Sequence, residues 1–277
     1  MHEAATASPE PSSVEVVIDG WIPGTMVSPS EAEAAGPVVL LLHGFASTRD
    51  EVGSMFRFLA NAMAADGISS LRIDFVSPTS VDPQSIPPFS EQIAMAATAL
   101  RWLISHPCAD ASRVGVVGFS LGGAVAISLA ARVPQDVAAV VLWSSSGDVR
   151  HDLGASLGPI ARETALREGH VIVDLGFRVV SLSAAFFAGL DVEASVERVG
   201  RITCPLGIVY GADDPLIRYR DAIVRNHGTY ATEDRILTAT GHLLGALDAD
   251  AEVSQEVIGQ TVRWMASWLG YGTPPGC

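Results

Sequence analysis

Lysine is missing altogether from this chain: all 17 basic residues are arginine. Without an ε-amine there is no Schiff-base chemistry on pyridoxal or carbonyl substrates, no Walker-type phosphate loop and no Ser-Lys dyad. Positive charge is scarce as well, because 31 acidic residues leave a formal charge of −14 and a pI near 4.8. Binding to nucleic-acid phosphates or to anionic lipid needs clustered cations, so neither partner is expected. The three cysteines, Cys108, Cys204 and Cys277, are too scattered for a disulfide framework or a zinc site. No His/Cys/carboxylate cluster suggests a metal, and the expectation is a protein without a cofactor. Apolar runs are all short, cut by Gly, Pro and charge, which excludes a membrane span. Met1–Ser13 has neither a basic n-region nor an apolar h-region, so a flexible tail and a cytoplasmic location are expected.

What is present is alternation. Short β-branched runs at Val38–Leu42, Ile68–Ile73, Arg113–Val117, Val137–Leu142, Leu206–Tyr210 and Arg235–Ala239 are separated by helical patterns near Gly53–Ala65, Glu91–Ile104, Ala124–Arg132 and from Tyr219, with a final helix at Ser254–Leu269. Parallel strands need crossover helices, so the pattern predicts an α/β domain over 14–277, its mostly parallel sheet covered by helices on both faces. Alternation stops between Gly147 and Gly200, where a helical, partly apolar segment without a convincing buried strand is expected to cap the strand ends.

The strongest chemical signal is Gly118-Phe119-Ser120-Leu121-Gly122, fed by the strand at Arg113–Val117 and followed by a helix. A serine on such a strand-to-helix turn is forced outward by a strained backbone, with glycines where side chains would clash. Its hydroxyl is a poor nucleophile unless an imidazole takes the proton and a carboxylate holds that imidazole's tautomer. Tyr210-Gly211-Ala212-Asp213-Asp214-Pro215 supplies the acid just past a strand end. Asp214 is preferred for its Gly-x-x-Asp spacing and for the turn that Pro215 fixes, with Asp213 and the preceding strand's Asp148 as rivals. His242, in Thr240-Gly241-His242, follows a strand and is the expected base, whereas His227 ends a charged helical stretch and is expected to face water.

Negative charge on a reacting carbonyl oxygen calls for backbone N–H donors. Leu121 offers one, at a helix N-terminus. Phe45 offers the other, in His43-Gly44-Phe45-Ala46, where Gly44 eases the turn and His43 is expected to brace the loop rather than touch substrate. Taken in order, His43-Gly44-Phe45, Gly118-Phe119-Ser120-Leu121-Gly122, Gly211-x-x-Asp214 and Gly241-His242 resemble the α/β-hydrolase superfamily, and within it the capped serine esterases of the cinnamoyl (feruloyl) esterase and monoglyceride-lipase or serine-aminopeptidase kinds. The resemblance implies an eight-stranded-type sheet with a small helical cap, Ser120 as nucleophile, Asp214 as acid, His242 as base, and Phe45 and Leu121 as oxyanion donors. One departure is local. Where many relatives carry Asp-x-x-Gly-x-Gly-x-Ser, this chain reads Asp74-Phe75-Val76-Ser77-Pro78-Thr79-Ser80 and continues through Pro83, Pro87 and Pro88, a stiffer loop beside the expected site.

The reaction expected is hydrolysis of a carboxylic ester with an apolar or aryl acyl group. Thioesterase or acyltransferase chemistry on a carrier-bound or CoA-linked acyl chain, and peptidase action with Asp191 and Glu193 as amine anchors, remain as alternatives. A binding protein on the same fold is a further one. Val179, Val180, Leu182, Phe186, Phe187 and Leu190 pave the acyl pocket in one reading and form the cap's own core in another. Arg150 and His151 are the polar candidates for orienting a substrate. The expected partner is therefore a small ester or thioester molecule, and the oligomeric state is left open.

Overall fold

The computed structural model describes residues 10–30, 34–77, 80, 82, 84–190, 194–237 and 239–270. Along the chain run β1 (Ser12–Ile18), β2 (Ile22–Ser28), β3 (Gly36–Leu42), α1 (Met55–Ala65), β4 (Ser69–Ile73), α2 (Phe89–Ile104), β5 (Ala109–Phe119), α3 (Leu121–Arg132) and β6 (Ala139–Trp143). An inserted segment follows with α4 (Val149–Glu168), β7 (His170–Asp174), β8 (Val179–Ser183), α5 (Ala184–Ala188) and α6 (Ser195–Arg198). The chain then returns through β9 (Leu206–Gly211), α7 (Arg220–His227), β10 (Thr232–Leu237) and α8 (Glu252–Leu269).

Eight strands form one sheet in the order β1-β2-β4-β3-β5-β6-β9-β10, parallel from β4 to β10, with β1 and β2 antiparallel at one edge. Its central strands are buried on both faces, which is why they read as unbroken apolar runs: Val38 to Leu42 and Val140 to Trp143 are all without solvent exposure. Helices α1 and α8 cover one face; α2, α3 and α7 cover the other. The apolar stripe of α1 (Met55, Phe56, Leu59, Ala60, Met63) has the 3-and-4 spacing that turns one side of a helix to a core.

The structure differs from the sequence-based expectation in three places. Strand β1 begins at Ser12, inside the segment expected to be a tail, because it pairs along its whole length with β2. The last strand runs Thr232–Leu237, in register with β9, and so ends before Ala239. The inserted segment is not wholly helical. Between α4 and α5 it carries the antiparallel β7–β8 hairpin, whose β8 buries Val180, Ser181 and Leu182 against Ile86 and Ala46 of the body. Helix α4 is itself broken at Gly158, whose φ is 74°, with Pro159 restarting the helix where a missing N–H costs nothing.

Candidate active site

Four strands deliver the site at their C-terminal ends. Leu42 and Gly118 are register partners in β3 and β5, so the loop beginning at His43 and the turn at Ser120 emerge side by side. Ser120 joins β5 to α3 with φ 53° and ψ −117°, a left-handed backbone that a non-glycine residue adopts only where its surroundings impose it. They do so by hydrogen bonds: the Ser120 N–H donates to the Trp143 carbonyl at 2.9 Å, and the Ser120 carbonyl accepts from Ser146 at 3.1 Å and Gly123 at 3.0 Å. Gly122 and Gly118 are required sterically. A Cβ on Gly122 would overlap the Leu42 carbonyl, and one on Gly118 would overlap the Gly122 carbonyl.

The structure brings together three side chains that lie far apart in sequence. His242 Nε2 is 3.0 Å from Ser120 Oγ, and His242 Nδ1 is 3.2 Å from each carboxylate oxygen of Asp214. Asp214 is fully buried, while the imidazole is about a third exposed at 32%. Burial opposes charge on Asp214, but the hydrogen bond and charge of His242 and the Leu216 N–H, at 2.9 Å, outweigh it and hold the carboxyl below the usual carboxylate range. A charged carboxylate at Nδ1 selects the tautomer with the proton on Nδ1, leaving Nε2 free to accept from the serine hydroxyl. The Phe119 ring packs on the imidazole at 5.2 Å between centroids.

The rival acids go elsewhere. Asp213 is exposed. Asp148 caps α4 by accepting the His151 N–H at 3.1 Å. His227, expected to face water, is buried instead. It lies on the Ile223 side of α7 and meets Thr232 Oγ1 at 2.7 Å and the Cys204 carbonyl at 3.0 Å, and burial lowers its pKa. The Cys204 thiol is likewise buried, which pushes its pKa up to about 12 and leaves it inert.

Around the serine, the loop His43–Ser47 lies against the turn: a Cβ on Gly44 would sit 3.0 Å from the Phe119 ring and 3.4 Å from Ser120 Cβ. His43 braces this loop. Its Nδ1–H donates to the Gly44 carbonyl at 2.8 Å and its Nε2 accepts the Phe75 N–H at 3.0 Å, an arrangement only the neutral ring can make. Burial lowers the His43 pKa accordingly, against the raising effect of the Glu51 charge. Sequence reasoning missed Glu51, a buried carboxylate that accepts from the Gly44 N–H at 2.6 Å, Ser47 Oγ at 2.7 Å and Val52 N–H at 2.8 Å. Among the described residues, no backbone carbonyl takes the Phe45 or Leu121 N–H.

Of the cap residues singled out from sequence, Phe186 and Phe187 are fully buried in a cluster with Val180, Leu182 and Leu190. Phe45 packs on Phe186 at 5.9 Å. Arg150 is exposed on the first turn of α4. Asp191 and Glu193, like Pro78, Thr79, Pro83 and Cys277, lie outside the described residues. A cavity of about 420 Å³ opens beside His43 and Phe45, with Asp74, Ile86, Gln92 and Arg178 also in its wall. Among the described residues no group of His, Cys, Asp and Glu could hold a metal ion, and no helix is long and apolar enough to cross a membrane.

Comparison with solved structures gives the same architecture. Est1E from Butyrivibrio proteoclasticus matches with a TM-score of 0.70 at 14% identity, over 92% of this chain and 99% of that one, and another structure of Est1E holds ferulic acid. A dienelactone hydrolase from Anabaena variabilis matches with a TM-score of 0.63 at 18% identity, over 95% and 99%. This is the α/β-hydrolase fold. Uncharacterized proteins from two Mycobacterium tuberculosis strains are 28% identical over 214 residues, 75% of this chain, which spans 64% of the length of these curated relatives. Residues 95–244 match the family described as BAAT / acyl-CoA thioester hydrolase C terminal. That match covers more than half of the chain and encloses Ser120, Asp214 and His242, so the protein belongs to the BAAT / acyl-CoA thioester hydrolase C-terminal family.

Proposed function

We propose that this protein is a serine hydrolase that cleaves a carboxylic ester or thioester through an acyl-enzyme on Ser120. The observation that carries the reading is the imidazole of His242 held between Ser120 Oγ at 3.0 Å and both oxygens of Asp214 at 3.2 Å. His242 Nε2 takes the Ser120 proton as Oγ bonds to the substrate carbonyl carbon, and the N–H groups of Phe45 and Leu121 hold the resulting oxyanion. Collapse of the tetrahedral adduct breaks the bond to the leaving group, which receives the proton from His242. Water then gives its proton to the same nitrogen as it attacks the acyl-enzyme, and a second collapse frees the acid and restores the serine hydroxyl. Asp214 stays ionised throughout and stabilises the imidazolium. No step requires a cofactor.

Two acyl carriers fit this cycle, and a specific observation favours the second. Phe45 and Ile86 in the cavity wall offer apolar surface beside the donor loop and support an apolar or aryl acyl group, as in an ester of that kind. The family match supports a thioester. A thiol is about as acidic as a cysteine side chain, with a pKa of roughly 8.5, so a thiolate leaves with little help from His242. Rates on p-nitrophenyl butyrate and butyryl-CoA, with and without an added alcohol or amine acceptor, separate hydrolysis of each carrier from acyl transfer. Equal rates for wild type and Ser120→Ala on both carriers would end the proposal.

A further inference from the structure

The donor loop is held from the cap as well as from the body. Arg178 stands at the turn of the β7–β8 hairpin, where the Leu175 N–H donates to the Arg178 carbonyl at 2.9 Å. Its guanidinium reaches back across more than 130 residues: Nη1 donates to the carbonyls of Ala46 at 3.0 Å and Ser47 at 2.9 Å. One planar nitrogen with two hydrogens serves both carbonyls. From the body side Glu51 takes the Gly44 N–H and the Ser47 hydroxyl. A cation thus grips the loop's carbonyls while an anion grips its N–H and O–H groups.

The consequence falls on one peptide plane. The Phe45 N–H is rigidly joined to the Gly44 carbonyl, because the peptide unit is planar. That carbonyl accepts from His43 Nδ1 at 2.8 Å and from the Ser47 N–H at 3.3 Å. Arg178 fixes the peptide units on either side of Ser47, and Ser47 in turn fixes the plane that aims the Phe45 N–H. Ala46 holds a left-handed φ of 56° between these anchors and packs in the cap's cluster, beside Ile86 of the body.

We propose that Arg178 is a positioning residue for the oxyanion donor: docking of the cap hairpin through Arg178 orients the Phe45 N–H toward the carbonyl attacked by Ser120. The proposal rests on the serine acyl-enzyme reading above. It predicts a loss in the transition state with little loss in ground-state binding, since Arg178 touches the loop and not the reacting atoms.

The test uses Arg178→Met, Arg178→Lys and, at the exposed neighbouring turn position, Phe177→Ala in the full chain. Each is assayed for kcat and KM on p-nitrophenyl butyrate, for the second-order rate of labelling by an alkyl fluorophosphonate, and for melting temperature. Arg178→Met should lower kcat and the labelling rate together by roughly 10- to 100-fold while KM moves by less than about threefold. Arg178→Lys should fall between Met and wild type, and Phe177→Ala should match wild type. Wild-type labelling rates in Arg178→Met, or a loss confined to KM, would overturn the proposal. Should Arg178→Met melt below the assay temperature, labelling of this variant and of wild type is compared below the variant's melting temperature, where wild-type labelling by Arg178→Met overturns the proposal equally. A wild-type protein that the fluorophosphonate does not label fails the serine reading itself, whatever Arg178 does.

Discussion

Asp213 and Asp214 are adjacent in sequence and opposite in environment: Asp214 is sealed from solvent with both oxygens 3.2 Å from His242 Nδ1, while Asp213 is exposed and bonds through its backbone N–H to the Thr240 carbonyl at 3.0 Å. Pro215 opens the short 3-10 turn Pro215–Tyr219, and the Asp214 side chain caps it on the Leu216 N–H. Replacing the acid by its amide keeps the shape and removes the charge that selects the imidazole tautomer. Asp214→Asn should therefore lose at least ~10³-fold in kcat, as should Ser120→Ala, with Asp213→Asn within about twofold of wild type. Steady-state kinetics on one ester decide it, and an impaired Asp213→Asn beside an active Asp214→Asn would exchange their roles.

Asp148 is a helix cap by geometry, since its carboxylate takes the His151 N–H at 3.1 Å. Asp148→Ala should cost about 1 kcal/mol of stability by urea titration and leave kcat/KM nearly unchanged. A drop in kcat of ~10³-fold would assign it the acid's role.

Two buried imidazoles make stability depend on pH. His227 and His43 both have folded-state pKa values lowered from 6.5, by burial in each case. Between 6.5 and those lower values the unfolded chain binds protons that the native state refuses, so stability is full above this window and falls as the pH drops through it. His227→Gln, which keeps polar atoms near Thr232 and Cys204 but cannot titrate, should be less stable than wild type at pH 8 and should lose less on going to pH 5.5. Urea midpoints at the two pH values measure the difference. Parallel losses in both proteins would show that His227 does not contribute.

The parallel sheet was legible because strands buried on both faces must be continuously apolar, and the strand-to-helix turn at Ser120 was legible because its glycines sit where carbonyls of Leu42 and Gly122 leave no room. The β7–β8 hairpin was not. Ile172 on β7 is exposed and Ser181 on β8 is buried, so alternation there is blurred by tertiary packing against the Ser85–Ile86 segment rather than by any local rule. His227 carried a signal that charge obscured: it lies four residues after the fully buried Ile223, on the same side of α7. Glu51 and Arg178 had none, because their partners are the backbone and one hydroxyl of a loop, which for Arg178 lies more than 130 residues away.

The turn at Ser120 leaves no room for a side chain at Gly122. Gly122→Ala pushes a methyl into the Leu42 carbonyl, a backbone atom at the end of a central strand that cannot step aside. Destabilisation of about 3 kcal/mol or loss of soluble protein is expected, whereas Gly154→Ala, with open space at its Cβ, should be tolerated. Thermal melts of the two variants check this, and equal stabilities would contradict the close approach of α3 to β3.

In the proposed cycle the acyl group passes through Ser120. The measurement closest to it is rapid acid quenching during turnover of p-nitrophenyl butyrate, followed by intact-protein mass and peptide mapping. The expected result is one butyryl group per chain on the peptide containing Ser120, absent in Ser120→Ala and accumulating when the second, water-dependent step is slow. Turnover with an unmodified Ser120 peptide, or a butyryl group mapped to another residue whose removal abolishes turnover, would contradict it.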